Sequence, residues 1–229
     1  GEARIETQAD EAISLLLLMR RLLRRGARRH SSQRHDSPMI LSRDFYNRST
    51  LTVARELIGA RLVRILDGVK LVGIITEAEA YIGETDLACH AKAGLTPRTA
   101  PMYGPPGHAY VYFTYGNHWM LNAVAEREGF PAAVLIRAIQ PVEGIEIMLE
   151  RRSGRDTLGP GKLCQAMGIT KSENRVDLTG TTGGLWIEAG IKVPDSLVTK
   201  SPRVGLNNTP EPWLSKPWRF RKTDKAEKE

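Results

Sequence analysis

The sequence predicts a single, largely antiparallel α+β domain. Three observations support this fold class: β-branched strand patterns joined by tight turns, helical patterns that do not alternate with those strands as in βαβ units, and the lack of any internal repeat. With 229 residues, of which 41% are hydrophobic, the chain can bury one substantial core. We therefore expect one domain with appended tails.

The first part of the patterned region predicts a helix followed by a hairpin. Over residues 49–59 the apolar side chains recur at helical spacing, and the final glycine is a common helix stop. The β-branched runs Ala60–Leu66 and Lys70–Ala80 come next, and Asp67-Gly68 between them readily adopts the positive backbone angles of a tight turn. We expect a short amphipathic helix that leads into a two-stranded hairpin.

A long loop and a second hairpin are predicted next. Residues 83–107 contain four prolines and four glycines, which no regular element would tolerate, so this stretch is expected to be a long loop, either ordered or gated. Ala109–Tyr115 and His118–Val124 then read as strands joined at Gly116-Asn117. This second hairpin is rich in tyrosine.

The remaining elements are shorter. Ala132–Ala138 reads as a buried strand, and Pro141 is expected to open a helix that reaches about Arg151. A glycine-rich bend leads to a second helix over Gly161–Met167, and Gly184–Gly190 reads as a last strand.

Charge divides the chain into three predicted segments: a basic N-terminal extension over 1–38, a domain over 39–221 and a charged tail over 222–229. The formal net charge is +7, but residues 1–38 and 216–229 each carry +3, which leaves +1 for the body. A nucleic-acid-binding face must therefore come from the arrangement of charges. The extension is either a basic arm that touches DNA or sequence upstream of a true start at Met39.

Several classes of protein are excluded by the sequence. No stretch approaches the ~20 apolar residues that span a bilayer, and the apolar run at 13–19 has the wrong flanking charges for a secretory signal. Cys89 and Cys164 form neither a CxxC pair nor a disulfide framework, so we expect a reducing compartment. Dinucleotide-binding, P-loop, serine-elbow and HExxH motifs do not occur, and no cofactor is expected.

Three polar residues near the end of the first hairpin form the densest cluster of candidate catalytic groups. By the period-two alternation of a strand, Glu77, Glu79 and Tyr81 share one face. That face is either solvated, since carboxylates are seldom buried without partners, or it desolvates a carboxylate whose raised proton affinity suits a general base toward water. Both interpretations stay open on the residues alone.

Other candidate residues also admit two interpretations. His90, His108 and His118 are either metal ligands or hydrogen-bonded loop and surface residues, and because they lack any recognisable metal-ligand spacing, no metal site is expected. Tyr115 sits at the tip of the second hairpin, where it either packs under a neighbouring loop or forms an aromatic wedge that separates base steps.

Four ordered blocks resemble the alkyladenine, or 3-methyladenine, DNA glycosylase family. They are TEAEAYIGETDLACH (76–90), YVYFTYGNHWMLN (110–122), AVLIRAIQPVEG (133–144) and GPGKLCQAMGI (159–169), with shorter matches at RVG (203–205) and KPWRF (216–220). The resemblance covers roughly residues 41–221 and leaves the N-terminal extension unmatched. Asn117, His118 and Trp119 depart from vertebrate members of the family, which bears on substrate preference.

The resemblance implies a role for each matching residue. Glu79 is the implied general base, and Arg137 is implied to help hold the attacking water and the phosphate of the flipped nucleotide. The implied base pocket consists of Tyr81, His90, Tyr112 and Asn122, the implied intercalating wedge is Tyr115, and the implied DNA-backbone contact is Lys162. It also implies a curved, open-barrel-like sheet with flanking helices and a protruding hairpin that inserts into DNA.

The implied function is that of a monofunctional glycosylase in base excision repair. Such an enzyme flips alkylated purines, such as 3-methyladenine and 7-methylguanine, from double-stranded DNA and hydrolyses the N-glycosidic bond without lyase activity or cofactor. Hypoxanthine and ethenoadenine are further candidate lesions. We expect a monomer, in the cytoplasm and nucleoid of a bacterium or the nucleus of a eukaryote, and not a membrane or secreted protein. The alternatives are a non-catalytic module that binds damaged DNA and an N-glycosidase of small nucleosides.

Overall fold

A computed structural model describes residues 39–114, 116–206 and 208–223. The helices are α1 (Arg43–Tyr46), α2 (Thr50–Glu56), α3 (Ile145–Arg151) and α4 (Pro160–Met167), with short 3₁₀ turns at His90–Ala93, Ala100–Tyr103, Lys171–Glu173 and Asp195–Leu197. The strands are β1 (Arg61–Leu66), β2 (Val69–Ile82), β3 (Ala109–Thr114), β4 (His118–Val124), β5 (Ala132–Glu143), β6 (Leu185–Glu188), β7 (Val198–Ser201) and β8 (Arg219–Lys222). The predicted extension over 1–38 and most of the predicted tail lie outside the described residues.

The described strands form one antiparallel sheet in the order β3-β4-β5-β2-β1-β6, and β8 pairs with both β2 and β7. Strand β2 is the spine of this sheet. It pairs with β5 on one side, and on the other with β1 near its start and with β8 over residues 77–79. Its pairing with β5 is interrupted by register shifts, which bend a strand and increase its twist. The result is a curled half-barrel with a few helices, which confirms the predicted α+β class.

The first hairpin is confirmed, but its second strand is longer than expected. Asp67 and Gly68 both have positive φ, 53° and 76°, as a tight hairpin turn requires. Strand β2 continues to Ile82 because Ala132–Leu135 of β5 pairs with its last four residues. Glu79 therefore lies inside a central strand, where its side chain can be enclosed from both sides.

The prediction that Pro141 opens a helix was wrong. Strand β5 runs on to Glu143, and Pro141 lies opposite Gly73 beside a register shift, where a residue without an N–H is tolerated. Helix α3 begins only at Ile145, after Gly144 has turned the chain with a φ of 69°. The prediction misplaced the helix because proline favours a first helical turn and an irregular strand position alike.

The long loop over 83–107 is ordered and has a small core of its own. Its buried Cys89 and Met102 pack with Tyr110 of β3 and Ala133 of β5, separately from the main core between the sheet and helices α2 and α4. Both cysteines are buried free thiols. The loop thus covers one end of the sheet directly beside Glu79's strand.

The helices around the sheet are short. Across residues 39–114, 116–206 and 208–223, none of them has the length and apolar character needed to cross a bilayer.

Candidate active site

Glu79 is completely buried and held by hydrogen bonds on both carboxylate oxygens. The Tyr81 hydroxyl donates to Oε2 at 2.8 Å, and the backbone N–H of Val204 donates to Oε1 at 2.8 Å. Arg137 adds two longer contacts, Nη1 to Oε2 at 3.4 Å and Nε to Oε1 at 3.3 Å. The sequence left open whether this strand face is solvated or desolvated, and the structure shows that it is desolvated at Glu79.

The neighbouring carboxylate, Glu77, is part of an arginine network. Its Oε1 accepts from Arg137 Nε at 2.6 Å and from Arg219 Nε of β8 at 2.8 Å. Glu77 is only partly buried, whereas Glu79 is fully enclosed. Two carboxylates two residues apart therefore share one arginine but have different surroundings.

These surroundings shift the two pKa values in opposite directions. Burial raises the pKa of Glu79 above its usual range, and the opposing effects of Arg137, the Val204 N–H and the Tyr81 hydroxyl do not cancel it. Burial also acts to raise the pKa of Glu77, but the hydrogen bonds from Arg219 and Arg137 outweigh it and the pKa is lowered. Glu79 is thus the carboxylate of the pair with the higher proton affinity.

A cavity of about 370 Å³ lies in front of Glu79. Its lining includes Tyr81, His90, Tyr112, Asn122 and Arg137, together with Met102, Tyr110, Met120 and Leu135. Glu79 itself stands behind the wall, but three of its hydrogen-bonding partners, Tyr81, Arg137 and Val204, line the cavity. The structure therefore brings the five residues predicted for the pocket and water site around one space.

His90 forms one end of an aromatic group in this cavity. Its ring centroid lies 4.5 Å from that of Tyr112, with the planes at 76°, and its Nδ1 lies 3.0 Å from the Tyr110 hydroxyl. Burial, together with Arg98 and Lys92, lowers the pKa of His90 to about 4. The histidine is consequently uncharged at neutral pH, so its ring adds no positive charge to this wall.

Asn122 is fixed by the strand next to it. Its side-chain Nδ2 donates to the backbone carbonyl of Tyr110 at 3.0 Å, and the residue is 4% exposed. Because one amide group is engaged by the sheet, the side chain has one orientation at the cavity wall. A fixed amide at this place can discriminate between ligands by the hydrogen-bonding groups on their edges.

Two predicted site residues, Lys162 and Tyr115, were expected to contact DNA outside the base pocket. Lys162 lies at the start of α4, where its Nζ contacts Asp156 Oδ1 at 3.0 Å and Oδ2 at 3.2 Å, and it does not line the cavity, although neighbouring Pro160 does. Tyr115, the predicted wedge, lies outside the described residues. The flanking strands β3 and β4 do pair as the predicted hairpin, and β3 ends at Thr114 in the described chain.

The segment 203–206 is a part of the site to which the sequence pattern assigned no role. Val204, Gly205 and Leu206 line the cavity, and the Val204 N–H is a direct partner of Glu79. The RVG block is one of the sequence matches to the family. The role of its backbone N–H could not be predicted, because every residue type except proline carries such a group. Its role emerges only when the fold brings residue 204 to residue 79.

Within the described ranges, no three His, Cys, Asp or Glu side chains are grouped closely enough to hold a metal ion. The titratable groups at the cavity include Glu79 behind its wall and Tyr81, His90 and Arg137 in its lining.

Fold and site together define a class of protein: an α+β protein with an aromatic-lined cavity beside a buried carboxylate. Comparison with known proteins then specifies it, because residues 44–226 match the methylpurine-DNA glycosylase family. A relative from Methanocella arvoryzae is 48% identical over 186 residues, covering 79% of this chain and 91% of its own, and one from Myxococcus xanthus is 49% identical over 180 residues, covering 79% and 88%. Both carry the name "Putative 3-methyladenine DNA glycosylase".

The chain belongs to the methylpurine-DNA glycosylase family. This confirms the resemblance found in the sequence blocks. The protein is accordingly a hydrolytic N-glycosylase of base excision repair with DNA as its substrate.

Proposed function

We propose that this enzyme flips alkylated purines, 3-methyladenine above all, out of double-stranded DNA into the cavity and releases them with a water activated by Glu79. The observation that carries the proposal is the enclosure of Glu79 directly behind an aromatic-walled cavity. A buried carboxylate with a raised pKa readily accepts a proton. Burial of a carboxylate also lowers the stability of the fold unless its charge is compensated, so its presence beside a cavity indicates a functional role.

The cavity walls suit a cationic purine. Its volume of about 370 Å³ lies in the range of small-molecule sites. Tyr81, His90 and Tyr112 offer aromatic surfaces, and the attraction of a ring face for a cation is about 0.5 to 2 kcal/mol per ring. A purine that is alkylated at a ring nitrogen carries this positive charge and is already a good leaving group, so the enzyme has to expose the base, stack it and deliver water.

One carboxylate is sufficient for this chemistry. Water attacks the sugar carbon from the face opposite the departing purine, as in an inverting glycosidase, and gives its proton to Glu79 while the glycosidic electron pair leaves with the base. No lysine is among the residues that line the cavity in the described chain, so no amine is placed to form a Schiff base. We therefore expect a monofunctional enzyme that leaves the DNA strand intact.

Arg137 is proposed to link base flipping to water delivery. Its 3.4 Å contact with Glu79 Oε2 is long, while its 2.6 Å contact with Glu77 is short. Glu77 can therefore hold the guanidinium in place while a water or a nucleotide phosphate takes up the side that faces the cavity. Tyr115 is proposed to fill the space that the flipped base leaves, and Lys162 to contact the DNA backbone.

The substrate is tested by incubating the enzyme with methylated duplex DNA and with the corresponding free methylated nucleosides. Chromatography of the supernatant should show free 3-methyladenine from duplex DNA alone, and the strand should break only after alkali treatment. Release from nucleosides at a similar rate would instead identify a nucleosidase. Duplex binding without free purine, extended to oligonucleotides that contain hypoxanthine and ethenoadenine, would identify a non-catalytic binding module.

A further inference from the structure

A buried ion pair next to the active site is not used by the mechanism above. The side chains of Asp86 and Arg203 are both completely buried. Arg203 Nη1 donates to Asp86 Oδ2 at 2.6 Å and Nη2 donates to Oδ1 at 2.9 Å, so the pair is bidentate. Because ion pairs lose hydration on burial, a pair enclosed in this way requires good geometry and further partners.

Asp86 fixes the loop on one side of the cavity. Its carboxylate accepts the backbone N–H of Ile82, where β2 ends, at 3.2 Å and that of Ala88 at 3.0 Å. Ala88, Cys89 and His90 then line the cavity. The carboxylate therefore sets where this wall begins relative to β2.

Arg203 fixes the segment on the other side. Its Nη1 also donates to the backbone carbonyl of Ala80 at 2.9 Å, and its guanidinium carbon lies 4.6 Å from the Tyr81 ring centroid and 5.0 Å from that of Trp218. The next residue along the chain is Val204, whose N–H is bonded to Glu79. One guanidinium thus holds the backbone that carries a hydrogen-bond donor for Glu79.

We propose that Asp86 and Arg203 are a positioning pair that aligns the Val204 N–H with Glu79 and sets the separation of the two cavity walls. Neither side chain lines the cavity, so they act through Val204 and Tyr81 and do not touch the substrate. This inference rests on the proposed role of Glu79 as the base.

The protein provides a matched control for this pair. Arg64 and Glu173 form another buried ion pair, with Nη2 to Oε1 at 2.6 Å and side-chain exposures of 9% and 5%. Neither residue lines the cavity. The same substitution, arginine to glutamine, can therefore be made in two buried pairs of which only one is connected to Glu79.

The experiment measures the single-turnover rate of 3-methyladenine release from methylated duplex DNA as a function of pH, using the full chain. For Arg203→Gln we expect a rate about 10- to 100-fold below wild type, since small displacements of reacting groups have large costs. The acidic limb of the profile should move to higher pH, because losing the Val204 donor and leaving Asp86 unpaired both favour protonated Glu79. Arg203→Lys should recover part of the rate.

Arg64→Gln is expected to lower the thermal midpoint while keeping the wild-type rate and pH limb. An Arg203→Gln enzyme with the wild-type limb, or an equal displacement in Arg64→Gln, would overturn the proposal. If Arg203→Gln does not fold, Arg203→Lys must show the displaced limb, and a wild-type limb there overturns it as well. The wild-type reaction separates the two claims, because absence of purine release by wild type refutes the proposed function itself.

Discussion

Glu79 is a carboxylate whose burial opposes the charge that a general base must carry. Since only its deprotonated form can accept a proton from water, the excision rate should fall as pH drops through a pKa above the ordinary glutamate value of 4.5. We expect the acidic limb of a single-turnover profile for 3-methyladenine release to lie above that value. A rate that stays constant down to pH 4.5 would contradict this prediction.

The same shift has a consequence for stability. A raised folded-state pKa means that protonated Glu79 stabilises the fold at low pH, and this contribution is lost as pH rises through the folded-state pKa. Glu79→Gln should therefore raise the free energy of unfolding relative to wild type at neutral pH, and this gain should fade in acid. Urea denaturation at a series of pH values measures it.

Glu77→Gln is the matched comparison for this stability effect. The pKa of Glu77 is lowered by Arg219 and Arg137 although burial opposes them, so ionised Glu77 stabilises the fold at neutral pH and this contribution is lost as pH falls through its folded-state pKa. Its substitution should therefore destabilise the protein at neutral pH. Equal signs for the two variants would refute the opposite shifts assigned to this pair.

His90 gives a second titration that can be observed directly. Its pKa is expected at about 4, against an ordinary value of 6.5, because of burial and the cations Arg98 and Lys92. Nuclear magnetic resonance titration of the histidine ring signals, with His90→Gln used to assign them, should show one ring that stays neutral throughout the range from pH 5 to 8. A midpoint for His90 near 6.5 would mean that the cavity wall is open to solvent.

Among the elements, the junction of β5 and α3 depends on one glycine. Gly144 has a φ of 69°, and a Cβ there would lie 2.5 Å from Leu71 Cδ2 and 2.8 Å from the Lys70 carbonyl oxygen. Gly144→Ala should cost about 2 kcal/mol or more in the free energy of unfolding, from backbone strain and from the clash together.

Gly68→Ala separates these two contributions. Gly68 has a φ of 76°, but no atom lies within 4 Å of the position that an alanine methyl would occupy. We expect only the backbone cost of about 1 kcal/mol. Chemical denaturation measures the free energy of unfolding of both variants. An equal decrease would show that the contact with Leu71 relaxes without a cost in stability.

Local pattern predicted the elements well where only one interpretation of it was available. Asp67-Gly68 identified the first hairpin, and the apolar spacing over 49–59 identified α2. Pro141 led to a wrong prediction because proline geometry suits both the start of a helix and an irregular position in a strand. The strands β7 and β8 are too short for the alternation of a strand to be recognised in the sequence. The hydrogen bond from the Val204 N–H to Glu79 could not be predicted, because it depends on a contact between residues that are far apart in the sequence.

On the scale of the whole molecule, the cavity residues Tyr81, His90, Tyr112, Asn122 and Arg137 come from several strands and one loop. The family resemblance predicted that they meet, whereas spacing alone could not, since 56 positions of the chain separate the first from the last. Period-two alternation did place Glu77 and Glu79 on one face. It could not determine which of the two is enclosed, because enclosure depends on residues 203–206 and on β8.

We predict that the catalytic domain does not require residues 1–38. All described groups of the cavity lie after Met39, and the family match begins at residue 44. A chain that starts at Met39 should keep the single-turnover rate of the full chain. Its binding to undamaged duplex should depend less on salt only if residues 1–38 contact phosphates. A folded but inactive 39–229 chain would show that the extension is part of the active site.

The most direct test of Glu79 as the base compares purine release after substitution of either of two equally buried glutamates, Glu79 and Glu188. Glu79 is fully buried at the cavity, and Glu188 is 1% exposed but bonded to Trp186 Nε1 on the remote strand β6. Wild type, Glu79→Gln and Glu188→Gln are incubated with methylated duplex DNA while free 3-methyladenine is followed by chromatography. We predict that Glu79→Gln binds the DNA but releases base at least about 100-fold more slowly, while Glu188→Gln stays active. A fully active Glu79→Gln enzyme would contradict the assignment of Glu79 as the base.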